Sequence, residues 1–159
     1  MKRIPLTQGK AAIVDNEDFE ELNKYKWSCT HTCGLNYAVR GNPDSKPRHL
    51  RMHREILNTP VDMDTDHING NGLDNRKSNL RICTHTENML NCKPRGGTSP
   101  YIGIGWSVCH KKWHARIRSK GKQVHLGFFK DESKAARAFD TAAIKLRGEF
   151  ARLNFPGRE

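Results

Sequence analysis

The stretch from Asp62 to Asn79 restricts the possible fold more than any other part of this chain. Most of its positions hold Asp, Asn, His or Gly, while Ile68 and Leu80 provide apolar anchors. Gly, Asn and Asp favour turns and loops rather than the elements of an apolar core. We therefore expect a polar loop with strand-like ends, closed by a helix over residues 84–91, that brings several polar side chains together.

The apolar content of the chain argues against one large core around this loop. Only 35% of its 159 residues are apolar, and the mean hydropathy is −0.81. Modules of about 40–60 residues bury little surface and often depend on a metal or a ligand for stability. The chain is therefore expected to contain two or three small modules and to work bound to a partner.

Positive charge is concentrated in the last two-fifths of the chain. Residues 1–92 contain 13 Lys and Arg against 12 Asp and Glu, whereas residues 93–159 contain 15 against 5, and the total is +11. Such a patch favours nucleic acid, because phosphate binding releases counterions. General solubility is the alternative, but it does not require so uneven a distribution.

Neither a signal-peptide pattern nor a long apolar run is visible, so we expect a soluble, cytoplasmic protein with no membrane partner. The cysteines are odd in number and form no CxxC pair, which predicts free thiols in a reducing compartment. A zinc site at Cys29 and Cys33 is the alternative, although no second ligand pair has suitable spacing. The five cysteines are Cys29, Cys33, Cys83, Cys92 and Cys109.

The first 48 residues predict a small β scaffold without a catalytic arrangement. Short strands are expected over residues 11–14, 25–28 and 37–40, with an acidic helical stretch over residues 15–23. A further strand-to-helix segment is expected over residues 49–57.

Four residues in and after the polar loop have the chemistry of phosphodiester hydrolysis. Asp66 offers a hard oxygen ligand, His67 a base that titrates near neutrality, and Asn79 and Asn88 uncharged amide oxygens. A divalent cation would offset phosphate charge while the imidazole deprotonates water. Taken singly, His67 could be a surface residue, Asp66 a turn residue and each Asn a cap. A calcium loop is disfavoured, since an EF-hand's alternating ligands and terminal Glu are missing.

Residues 49–92 resemble the ββα-metal motif of phage HNH homing endonucleases. The resemblance rests on a lead-in, the loop and the following helix, namely Met52-His53-Arg54, Asp66-His67-Ile68-Asn69-Gly70, Asp74-Asn75-Arg76, Asn79-Leu80-Arg81, Thr84 and Asn88. It implies that His67 is the general base, that Asp66 and Asn88 hold one Mg²⁺ or Mn²⁺ ion, and that Asn79 braces the loop. Two alternatives remain open: His85 as a metal-proximal rather than a capping or exposed residue, and Asn91 in place of Asn88.

The C-terminal part predicts three strands, over residues 101–108, 112–118 and 123–129, and then a helix from about Asp131 to Gly148. In the second strand Trp113, Ala115 and Ile117 alternate with His114, Arg116 and Arg118, and in the third Val124 and Leu126 alternate with Gln123 and His125. The helix would pack through its alanines, Phe139 and Leu146. One sheet face is thus expected in the core, and the other could enter a DNA major groove. A merely solvated face is the alternative.

This part resembles the AP2 DNA-binding domain of plant transcription factors, which phage HNH enzymes also carry. The matching positions include Tyr101, Gly103, Trp113, Ala115, Ile117, Arg118, Leu126-Gly127, Phe129, Ala135-Ala136, Ala142-Ala143, Leu146-Arg147-Gly148 and Leu153-Asn154-Phe155-Pro156. The resemblance places Lys112, Arg116, Arg118, Gln123 and His125 at DNA-contacting positions. His114 is expected to join them, because alternation sets it on the same face as Arg116 and Arg118. Ile102, Gly105, Ser107 and His125 depart from the plant pattern, so plant sequence preference is not carried over.

Together these features predict an α+β protein with four parts: a β scaffold (1–48), an HNH nuclease module (49–92), a linker (93–99) and an AP2-like domain (100–156). We expect a metal-dependent endonuclease that acts on double-stranded DNA as a monomer, without a small-molecule cofactor, in a bacterial or phage-infected cell. A DNA-binding regulator with a vestigial HNH part and an RNA-directed nuclease are the competing hypotheses. The second fits less well, since a β-sheet reader suits the B-DNA major groove better than A-form RNA.

Overall fold

The computed structural model describes residues 1–32, 34–42, 48–91, 98–119 and 121–157. Within these ranges the chain is mixed α and β, with ten strands in four small antiparallel sheets and four α-helices. The chain divides into two compact units, residues 1–88 and 89–159. As the low apolar content predicted, the buried residues form two separate small cores.

Seven strands and three helices precede residue 91. The strands are β1 Lys2–Pro5, β2 Ala11–Val14, β3 Ser28–Thr32, β4 Leu35–Gly41, β5 His49–Arg51, β6 Asp64–His67 and β7 Leu80–Cys83. The helices are α1 Asn16–Leu22, α2 Met52–Ile56 and α3 His85–Leu90. β1 pairs with β2, β4 lies between β3 and β5, and β6 pairs with β7.

The core of the first unit gathers apolar residues from its first four strands, its first two helices and the segments that connect them. Its buried members are Ile4, Leu6, Ala12, Val14, Leu22, Trp27, Cys29, Ala38 and Met52. The strand predicted over residues 25–28 is wrong, because β3 begins at Ser28. Trp27 instead precedes the strand, and its buried indole Nε1–H donates to the Leu22 carbonyl at 2.8 Å, which ties the end of α1 to β3.

The loop between β6 and β7 is held by the N-terminal residues. The Asn75 N–H donates to the Ile13 carbonyl, and the Ile13 N–H donates to the Leu73 carbonyl, both at 2.8 Å. The Lys77 N–H donates to the Asp15 carboxylate at 2.8 Å. These contacts connect the predicted β scaffold (1–48) with the predicted nuclease module (49–92). The division of the chain into these modules stays a prediction.

The second unit contains a three-stranded sheet and one long helix, as the sequence predicted. The strands are β8 Ile104–Ser107, β9 Lys112–Ser119 and β10 Lys122–Phe129, with β9 in the middle, and the helix is α4 Glu132–Arg147. The Asp131 carboxylate caps α4 by accepting from the Lys134 N–H at 2.8 Å. Gly148 ends the helix with a φ of 55°.

Small residues on α4 let the helix lie close to the sheet. Ala135, Ala136, Phe139 and Ala143 are buried with Ala115 and Ile117 of β9. The prediction that Leu146 shares this contact is wrong, because Leu146 lies near the end of the helix and is 45% exposed. Gly103 also lies against this core: its φ is +74°, and a Cβ there would overlap the Phe139 ring.

Two predicted connections lie partly outside the described residues. Residues 93–97 of the predicted linker are among them, and so is Lys120 in the turn between β9 and β10. In the part of the chain that the structure describes, no helix has the length and apolar character needed to cross a membrane.

Candidate functional site

The alternation of side chains along β6 creates two faces with different chemistry. Asp64 and Asp66 point to one face of the β6–β7 ribbon, and Thr65 and His67 to the other. The antiparallel register sets Asp66 opposite Arg81 and His67 opposite Leu80. The two predicted neighbours Asp66 and His67 are therefore on opposite faces of the same short strand.

Asp64 connects the acidic face to helix α3. Its Oδ2 atom accepts a hydrogen bond from the Asn88 Nδ2 at 3.0 Å and lies 3.0 Å from the His85 Nδ1. The hydrogen bond from Asn88, followed by the contact with His85, lowers the pKa of Asp64 below its ordinary value. Asp64 was missed in the sequence, although its spacing of two from Asp66 would have placed both carboxylates on one face.

Asp66, predicted to bind the metal, is buried and forms an ion pair with Arg81. The guanidinium donates to Oδ2 from Nε at 3.0 Å and from Nη2 at 2.7 Å. These two charge-assisted hydrogen bonds to one oxygen hold the carboxylate firmly. His85, the first residue of α3, is largely exposed. It is also a neighbour of the acidic face, through its contact with Asp64.

The donors at this face fit a hard divalent cation. Two carboxylates and the amide of Asn88 supply the oxygen ligands that Mg²⁺ and Mn²⁺ prefer. Among the described residues no group of three His, Cys, Asp or Glu side chains has the arrangement of a metal site. The assignment of Asp66 and Asn88 as ligands therefore stays a prediction. The alternative ligand Asn91 lies in the second unit, where its carbonyl accepts from Arg152 at 2.7 Å.

The opposite face of β6 encloses His67 in a cluster of polar and aromatic side chains. His67 is buried, and its Nε2 lies 3.3 Å from the Asn75 Oδ1. The His53 ring stands nearly perpendicular to it at 4.8 Å, and the Tyr37 ring lies 5.9 Å away. Burial lowers the pKa of His67 below its ordinary value, against the opposing effect of the Asn75 contact. The imidazole is therefore uncharged at neutral pH and can accept a proton.

Asn79 joins the two sides of the loop that leads away from His67. Its Oδ1 accepts from the Asn69 N–H at 3.0 Å, and its Nδ2 donates to the Asp74 carbonyl at 2.7 Å. The Asp74 carboxylate in turn accepts both a bidentate pair from Arg76, at 2.7 Å each, and the Asn69 Nδ2 at 2.9 Å. Arg76 is the main cause that lowers the pKa of Asp74.

In the second unit, the predicted DNA-contacting residues lie together on one face of the sheet. Lys112, His114, Arg116 and Arg118 share one face of β9 by strand alternation, and Gln123 and His125 stand opposite Arg118 and Arg116. All are exposed except the half-buried His114. The ring of His114 lies over Gly105 of β8 and accepts from the Arg116 Nε at 3.0 Å. Burial lowers the pKa of His114, so the ring is a neutral acceptor for Arg116.

The third strand departs from the predicted alternation. Val124 was expected in the core but is 40% exposed, because β10 is an edge strand of a sheet too small to cover it. A register shift between His125 and Gly127 then turns Phe128 to the face that carries Arg116. Phe128 is stacked on His110 at 4.1 Å and contacts His125 at 4.6 Å. This aromatic group was not predicted, because a bulge is not visible in the alternating pattern of a strand.

The three cysteines among the described residues are free thiols, as expected. Within the described ranges Cys29 and Cys83 are buried, and Cys109 is exposed. Burial raises the pKa of Cys83 to about 11, so its thiol is inert. Cys33 and Cys92 lie outside the described residues. Cys33 is one of the two cysteines of the alternative zinc site.

Comparison with known proteins connects this geometry to a family. A family model described as HNH endonuclease matches residues 58–90, the segment that contains β6, the loop, β7 and α3. A mimivirus protein, named Uncharacterized HNH endonuclease L560, is 27% identical over 92% of this chain and 76% of its own length. Protein 3.8 of Escherichia phage T7 is 32% identical over 109 residues, which are 67% of this chain and 88% of the phage protein. The chain belongs to the HNH endonuclease family.

This HNH endonuclease also carries an AP2-like domain. APETALA2-like protein 2 of rice is 45% identical over 62 residues, or 39% of the chain. The Arabidopsis AP2-like ethylene-responsive transcription factor TOE2 is 44% identical over the same length. The chain spans only 14% and 13% of the lengths of these two plant proteins, so the similarity is that of one domain.

Proposed function

We propose that the HNH endonuclease is a metal-dependent enzyme of the homing type that hydrolyses a phosphodiester of double-stranded DNA. The observation that carries the proposal is the buried, uncharged imidazole of His67 on a strand whose other face holds two carboxylates. Asp66 and His67 are consecutive residues of this strand. A base next to an oxygen-donor site suits attack by water on a phosphate held beside both.

In this proposal His67 takes the proton from the attacking water. Its lowered pKa keeps the ring neutral at pH 7, and thus able to act as a base. Asn79 keeps the loop closed on itself, so that β6 and the ring stay in one orientation. The role of Asn79 is therefore positional.

Asp66 and Asn88 would hold one divalent cation, Mg²⁺ or Mn²⁺, with Asp64 beside them. When bound, the cation offsets negative charge on the scissile phosphate and on the leaving oxygen. Arg81 balances the Asp66 carboxylate, and the hydrogen bond between Asp64 and Asn88 holds α3 against β6. These contacts support a preorganised face made of the chain's own residues.

The AP2-like domain would hold the DNA. Residues 93–159, which include this domain, carry ten of the chain's eleven net positive charges. The six polar or charged residues on its sheet face are arranged to meet a groove or the phosphates. We expect the phosphate contacts to provide most of the affinity, and a monomer to suffice. The phage and mimivirus relatives suggest that the protein acts inside an infected cell.

The test is a cleavage assay on genomic duplex DNA with mapping of the new ends. We expect cleavage with Mg²⁺ or Mn²⁺ that EDTA stops, and the mapped ends will distinguish a nick from a double-strand break. His67→Ala should lower the rate by about 10²-fold or more and leave DNA affinity unchanged. His31→Ala, at an exposed histidine of the same unit, is the matched control.

Full activity of His67→Ala would contradict the assignment of the base. DNA binding without cleavage across several divalent metals and substrates would instead favour a binding protein with a vestigial nuclease part.

A further inference from the structure

We propose that Asn75 is a positioning residue that holds His67 in the tautomer with its hydrogen on Nε2, which makes Nδ1 the nitrogen that receives the proton. The inference rests on the proposed role of His67 as the base. Asn75 has no assigned role in the proposed mechanism, yet it is the fully buried polar residue at this imidazole.

The contact between the two side chains determines the tautomer. The Asn75 Oδ1 lies 3.3 Å from the His67 Nε2, and an amide oxygen can only accept a hydrogen bond. Nε2 must therefore carry the hydrogen. A neutral imidazole has one N–H, so the lone pair that takes a proton is on Nδ1.

The backbone holds Asn75 in place independently of its side chain. Its N–H donates to the Ile13 carbonyl of β2 at 2.8 Å, and the preceding Asp74 carbonyl accepts from Asn79 at 2.7 Å. The β scaffold, for which the sequence suggested no catalytic part, thus anchors a residue that contacts the proposed base.

The identity of the side chain is not explained by the packing of the loop. Asn75 is 0% exposed, and among the described residues its Nδ2 has no hydrogen-bond partner. A buried donor without a partner lowers stability, whereas a leucine of similar size would fill the space without that cost. The contact of Oδ1 with His67 is what distinguishes asparagine from such a residue.

Two aromatic rings pack against the imidazole of His67. His53 stands at 86° to His67 with centroids 4.8 Å apart, and Tyr37 lies at 54° and 5.9 Å. Burial lowers the pKa of His53 to about 2, so this neighbour is uncharged. These two rings also lie 5.6 Å from each other, so they pack against the His67 ring as one aromatic cluster that limits its rotation by packing rather than by charge.

The first test reads the tautomer directly in the full-length protein without divalent metal. Long-range ¹H–¹⁵N correlation of the histidine rings distinguishes Nε2–H from Nδ1–H, and the His67→Ala spectrum assigns the signals. We expect His67 to carry its hydrogen on Nε2. A ring with its hydrogen on Nδ1 would overturn the proposal.

The second test compares Asn75→Leu with Asn75→Asp. Leucine removes the acceptor, and we expect loss of the single tautomer and a kcat lower by about 10²-fold, with little change in KM. Aspartate keeps an acceptor at Nε2 and should retain the tautomer and restore most of the rate. An unchanged kcat in Asn75→Leu, or aspartate behaving like leucine, would contradict the positioning role.

The experiments separate this inference from the proposed function. If the wild-type protein cuts no DNA, the proposed function fails, while the ring spectrum still reads the tautomer. If the protein cuts DNA but His67 carries its hydrogen on Nδ1, only the role of Asn75 fails. Should Asn75→Leu not fold, the wild-type spectrum and Asn75→Asp decide the question.

Discussion

Replacing Asn79 by alanine removes both hydrogen bonds that close the loop between β6 and β7. The lost partners are the Asn69 N–H, at 3.0 Å, and the Asp74 carbonyl, at 2.7 Å. Asn79 is buried, so water does not readily replace its amide. The loop should then lose its connection between the residues that follow His67 and those that precede β7.

The structure allows the size of the effect to be worked out. A buried polar group left without its partner costs about 1–3 kcal/mol. The hydrogen bond to the Asp74 carbonyl is buried, and the one from the Asn69 N–H is partly buried. The cost of losing the former therefore lies near the upper end of that range, and the cost of losing the latter near the lower end. The free energy of unfolding of the first unit should therefore fall by about 2–4 kcal/mol.

A urea titration followed by the indole N–H resonance of Trp27 measures this loss. Trp27 is the tryptophan of residues 1–88, whereas Trp106 and Trp113 belong to the second unit, so the signal is specific. With an m-value of about 2 kcal/mol/M, the midpoint should fall by about 1–2 M. Cleavage should decrease as well at temperatures where the unit is still folded.

Asn71→Ala is the matched control in the same loop. The Asn71 side chain accepts a single, exposed hydrogen bond from the Leu73 N–H at 3.2 Å, and its loss should cost less than about 1 kcal/mol. Equal midpoints for the two variants would refute the reasoning that Asn79 braces the loop.

Three further predictions concern acid stability, packing and DNA affinity. Arg76 lowers the pKa of the buried Asp74, so this pair stabilises the fold above the ordinary Asp pKa and is lost as the pH falls through the lowered value. Arg76→Gln should therefore move acid unfolding, followed by Trp27, to a higher pH, and an unchanged midpoint would contradict this. Gly72→Ala places a Cβ against the Asn36 carbonyl and the Tyr37 ring and should destabilise by about 1–3 kcal/mol, unlike Gly41→Ala, where no atom lies within 4 Å. Arg116→Gln should reduce the slope of log affinity against log salt by about 1; a similar reduction in Lys145→Gln, on an exposed part of α4, would argue against the sheet face as the DNA surface.

Local patterns allowed most elements of the second unit to be predicted. Alternation in β9 and the capping residues Asp131 and Gly148 act within a few residues of the chain, so they are readable in the sequence. Val124 and Phe128 were not predictable in this way, because the edge position of β10 and its register shift depend on pairing with β9. The start of β3 was missed for a similar reason: Trp27 is buried against α1 rather than paired in a sheet.

For the candidate site, the sequence by itself determined which groups are available. The order and spacing of Asp66, His67, Asn79 and Asn88 indicated the family, and the comparisons show it. Their functional roles stay predictions, which the experiments above test.

Only the tertiary structure decided what those groups meet. Asp64 joined the acidic face through Asn88, and Asn75 reached His67 because β2, more than sixty residues earlier, holds its backbone. Such contacts depend on strands and loops that are distant in the sequence. A residue pattern names the acids, bases and amides, whereas packing sets the distances and burial that determine which nitrogen of an imidazole can accept a proton.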